Sequence, residues 1–81
     1  MSSFQPAAWQ VRRARVALEQ WNAEHPDRLV AWETVEEALL AWRGWKEKMS
    51  YDPEGSEQSR LLHEEHARRL PRWLLAEVFP Q

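Results

Sequence analysis

Isoleucine is absent from the chain, and five Val and one Thr supply all of its β-branched side chains. Those side chains suit a pleated sheet best, so strand-forming material is scarce and the backbone is left with helix as its main outlet. At 81 residues the chain holds one domain, close to the size below which a single core no longer offsets chain entropy. Without Cys, neither a disulfide nor a Cys-ligated zinc can staple it, so packing, a partner subunit or a His/carboxylate metal site must do so. Aliphatic material is thin, with nine Leu and five Val, while six Trp are present. Each indole buries roughly 150–250 Å². Trp therefore stands in for the missing aliphatics.

The prolines and the apolar spacing divide the chain. Pro6 suits a first helical turn, and nothing breaks a helix from there to about Glu24. Ala7, Val11, Ala14, Leu18 and Trp21 recur at alternating spacings of four and three, the stripe of a helix facing another helix. His25-Pro26-Asp27 ends it, because the residue before a proline is pushed out of the α region. Thr34-Val35-Glu36-Glu37 has the form of a capping box and predicts a second helix from Val35, with Val35, Ala38, Leu39, Trp42, Trp45 and Met49 on one face. Asp52-Pro53-Glu54-Gly55 fits a type I turn, after which Ser56 would cap a third helix with Leu62, His63, His66, Ala67 and Leu70 inward. Pro71 opens a short segment to Phe79 that is apolar nearly all round and is closed by Pro80. The expectation is an all-α fold, a small three-helix bundle with a short additional C-terminal helix. It forms a single domain over residues 1–81, with helices at about 6–24, 35–49, 57–70 and 71–79.

Little of this supports catalysis. Two glycines cannot build a phosphate-cradling loop, Cys is absent, and the serines lie outside any nucleophile elbow. Glu36/Glu37 and Glu64/Glu65 are adjacent, so on a helix they diverge by about 100° and read as solvated faces. The expectation is no enzyme and no cofactor. His63 and His66, three apart, could share a divalent metal, but neither the zinc-protease nor the di-iron spacing is present; core-edge packing is the plainer reading.

Formal net charge is -2 and the pI is near 5.9, which removes bulk positive charge as a reason to bind nucleic acid or anionic lipid. Arg12, Arg13 and Arg15 beside Trp9 form a local basic cluster that keeps a nucleic-acid regulator as the alternative. Against it, the second helix opens with Glu33, Glu36 and Glu37, which repel phosphate where a recognition helix would approach. No apolar run is long enough to span a membrane, and the first ten residues lack the order of a signal peptide. A cytoplasmic protein is expected, and the excess of Arg over Lys suggests a bacterial or phage source.

The informative anomaly is apolar surface in excess of one small core. Trp9 and Val16 fall on the opposite side of the first helix from Leu18 and are flanked by Arg12 and Arg13. Trp73, Leu74, Leu75, Val78 and Phe79 cover most of the last helix, which three helices cannot enclose unless that segment is central. Trp and Arg are enriched at binding hot spots. The leading expectation is a non-catalytic module that binds another protein, or a second copy as a homodimer, through Trp9, Arg12, Arg13, Val16, Arg72, Trp73 and Phe79. The plainer reading is that six Trp serve only to reach enough buried area.

Overall fold

A computed structural model describes residues 6–79. Among them are four helices, α1 (Ala8–Glu24), α2 (Trp32–Lys48), α3 (Pro53–Ala67) and α4 (Arg72–Val78), and no strand. The fold is all-α, a small helical bundle. Pro80, expected to close the last helix, lies outside the described residues.

The end of α1 is anchored by side chains. The Trp21 indole donates to the Arg28 carbonyl at 2.9 Å and stacks on the His25 ring at 3.6 Å. The Asn22 carboxamide binds both backbone groups of Val30. These bonds satisfy backbone polar groups of a connector whose own backbone supplies the Arg28 N–H to His25 carbonyl bond at 2.9 Å.

Both central helices begin earlier than the sequence signals place them. Ala31 is extended and the Thr34 N–H already bonds to the Ala31 carbonyl at 3.1 Å, so Thr34 lies inside the first turn and the expected capping box does not form. The extra turn packs Trp32 against the core and under the Arg15 guanidinium, 4.1 Å from the ring centroid. Asp52, not Ser56, caps α3: its carboxylate accepts from the Gly55 N–H at 3.0 Å and Pro53 takes the first helical position, so the expected type I turn becomes the first turn of the helix. Ser56 is instead buried, its hydroxyl donating to the Trp45 carbonyl at 3.1 Å. That bond ties α3 to α2. The third helix also ends at Ala67 rather than near residue 70, because Leu70 precedes Pro71 and is forced off the helical path, where it is buried.

The core joins Ala14, Ala17, Leu18 and Trp21 of α1, Val35, Ala38 and Leu39 of α2, Leu70, and Leu74 and Val78 of α4. The last helix is therefore central, with Leu74 and Val78 among the largest fully buried side chains. Among the described residues α3 packs mainly on α2, while α1 packs mainly on α4. Because α3 meets α2 through Gly44, Ser59 and Ser56, its leucines do not point inward: Leu61 and Leu62 are exposed, as is Met49, although Leu62 and Met49 fit the inward stripes of the sequence. Salt bridges brace the exposed faces, Arg43 to Glu47 at 3.1 Å and Arg60 to both Glu57 and Glu64. The Arg60 hydrogen bond holds the Glu57 carboxyl below its usual range.

Candidate functional site

All four helices converge on one aromatic cleft. Trp9 and Gln10 enter from the first turn of α1, Trp42, Trp45 and Lys46 from the second half of α2, His63 from α3, and Phe79 from the end of α4. The cleft has a volume of about 420 Å³, within the usual range for small-ligand pockets. Phe79 packs edge-on against His63 at 4.7 Å and tilted against Trp42 at 5.9 Å, while Trp45 lies 6.0 Å from His63. The Lys46 ammonium sits 4.3 Å over the Trp45 ring. Aromatic walls and a cation at the rim give the cleft its character.

His63 is fixed within that wall. Its Nδ1 lies 3.0 Å from the Ala38 carbonyl. A carbonyl only accepts, so Nδ1 carries the proton and Nε2 is left as the acceptor. Desolvation lowers the His63 pKa, with the Lys46 and His66 charges acting in the same sense and the Ala38 bond and Glu64 opposing. The ring is neutral at pH 7. His66 Nδ1 lies 3.2 Å from the Glu37 carboxylate, at ion-pair distance but without the alignment of a hydrogen bond. Both histidines thus have partners within the fold. Among the described residues no group of three or more His, Cys, Asp or Glu is placed to hold a metal ion.

The residues singled out from sequence fall into three places. Trp9, Arg12, Arg13 and Val16 share the outer face of α1 at spacings of three, four and seven from Trp9, with Trp9 58% and Val16 64% exposed. Arg12, Arg13 and Val16 line a shallow groove of about 280 Å³ with Ala17, Gln20 and Glu77, so α4 contributes its far wall. Arg72 is exposed at the start of α4, and Trp73, 40% exposed, lies 6.2 Å from Trp21. Phe79 turns the other way, into the aromatic cleft. Trp73 and Phe79 are therefore not brought together, whereas Trp9 and Phe79 line the same cleft. Gln10, Trp42, Trp45, Lys46 and His63 complete that cleft and were not expected to act jointly. Trp42 and Trp45 carried a signal, a shared helical face, which also fits a core. Gln10 carried none.

No protein-family model matches the chain, and neither does any curated protein or any solved structure. Among the described residues no helix is long and apolar enough to cross a membrane.

Proposed function

We propose that the protein is a non-catalytic interaction module, a small cytoplasmic accessory or regulatory protein of bacterial or phage type. It binds another protein, or a second copy of itself, through the outer face of α1. One observation carries this reading: Trp9 and Val16 stand exposed on a single helical face, with the Arg12 and Arg13 side chains beside them. Burial of an indole and a valine supplies affinity, and two guanidiniums at the rim set register and attract an acidic partner.

The test is capture from the native host with light scattering of the purified chain, comparing wild type with a Trp9→Ala/Val16→Ser variant. A complex or dimer that resists salt and is lost in the variant supports the reading. Full retention by the folded variant overturns it. Binding to nucleic acid that weakens steeply with salt and vanishes in Arg12→Glu also overturns it, in favour of a nucleic-acid regulator.

A further inference from the structure

We infer that the aromatic cleft is a binding site for a planar one- or two-ring aromatic carboxylate, held by its ring between the indoles, by its polar edge on Gln10 and by its charge on Lys46. This goes beyond the docking face of α1 and does not rest on it. Three features of the cleft favour such a ligand.

The first is shape. Trp9, Trp42, Trp45, Phe79 and His63 present flat rings around about 420 Å³, and such walls accept a flat ring by offset stacking or edge contact.

The second is an unused polar group. Gln10 lines the cleft and is only 5% exposed, yet its carboxamide makes no hydrogen bond to any other described residue. Its amide is not among the polar atoms sealed from solvent without a partner, so it stays open to a ligand in the cleft. It presents one acceptor and two donors. The Gln10 oxygen suits a ring N–H.

The third is charge. Among the described residues Lys46 is the cation of the lining, its ammonium parked over Trp45, and no carboxylate lines the cleft beside it. His63 is neutral at pH 7, burial having lowered its pKa. An anionic ligand gains a charge-assisted bond from Lys46, whereas a cationic one meets its repulsion against the attraction of the ring faces.

Three matched probes test this by calorimetry and amide-resolved NMR: indole-3-acetate (anion), indole-3-ethanol (neutral) and tryptamine (cation), with 1-methylindole-3-acetate lacking the ring N–H. The expected order is anion above neutral above cation, with shifts confined to residues of the cleft. Lys46→Gln removes the advantage of the anion over the neutral probe, about tenfold. Gln10→Leu removes the discrimination between the N–H and N-methyl acids. Lys46 is exposed and its replacement leaves the core intact, so the charge arm stands even where Gln10→Leu fails to fold. No saturable binding at millimolar probe, equal binding of the cation, or shifts centred outside the cleft overturns the inference. Trp9 is untouched in every variant, so failure here is distinct from failure of the α1 docking face.

Discussion

The Asn22 carboxamide grips Val30 by both of its backbone groups, Nδ2 donating to the carbonyl at 3.0 Å and Oδ1 accepting from the N–H at 2.9 Å. One side chain thereby does for the α1–α2 connector what a neighbouring strand does in a sheet. It also sets where Ala31 leaves the connector and hence where α2 begins. Replacing Asn22 by Leu strands a part-buried donor and acceptor. The expected loss is about 1–3 kcal/mol, read as a lower urea midpoint with an unchanged slope. Asn22→Asp keeps the acceptor alone and falls between. An Asn22→Leu midpoint equal to wild type removes the role assigned to this pair.

What the sequence made legible and what it hid follow from how far each signal reaches. The stripe through Ala14, Leu18 and Trp21 is a period within one helix, and the structure buries all three. Helix starts are ambiguous in the sequence because two local motifs compete for the same residues. Asp52-Pro53 is equally the opening of a type I turn and an N-cap followed by N1 proline, and the packing of Ser56 under Trp45 decides between them. Thr34-x-x-Glu37 is a capping box only if nothing upstream rewards an earlier start, and Trp32 does. The cleft was invisible for another reason. Gln10 and His63 are 53 positions apart, and no period within a helix reports that four helix segments meet at one point.

The α3 cap predicts a non-additive pair. The Asp52 carboxylate accepts from the Gly55 N–H, and a methyl group placed on Gly55 would come within 2.3 Å of that same carboxylate. Gly55→Ala must therefore push the cap away. Asp52→Ala is expected to cost about 0.5–2 kcal/mol, and Gly55→Ala a similar amount despite the better helix propensity of Ala. The double variant should cost little more than either alone, because each removes the same bond. A thermal or urea cycle in which the two costs simply add contradicts this geometry.

Gly44 predicts the opposite sign for the same substitution. It is buried where α3 crosses α2, but a Cβ there would meet Ser59 Oγ at 3.4 Å, an ordinary contact. Gly44→Ala lowers the backbone entropy of the unfolded chain without a clash, and a gain of about 0.5–1 kcal/mol is expected. Gly44→Leu drives a branched side chain into Ser59 and should cost about 1–3 kcal/mol by overpacking. If Gly44→Ala destabilises in a denaturant titration, the crossing is tighter than the geometry allows.

His63 makes stability depend on pH, with a sign set by its surroundings. Burial lowers its folded pKa below the ordinary 6.5, so on acidification the unfolded chain takes up the proton first. Where the unfolded state binds more protons, stability rises with pH. The His63 contribution is therefore full above the ordinary value, falls as the pH drops through it towards the folded value, and levels off below. One proton sets a ceiling of about 1.4 kcal/mol per pH unit, and the half-buried ring stays under it because water still reaches part of the imidazole. The chain holds two further histidines, so the quantity to measure is the difference between wild type and His63→Gln, whose amide can still donate to the Ala38 carbonyl. Urea midpoints from pH 8 to pH 5 should fall more for wild type than for the variant. Parallel curves would mean that the His63 ring is solvated enough to protonate in place, without loss of the Phe79 and Trp45 packing that closes the back of the cleft.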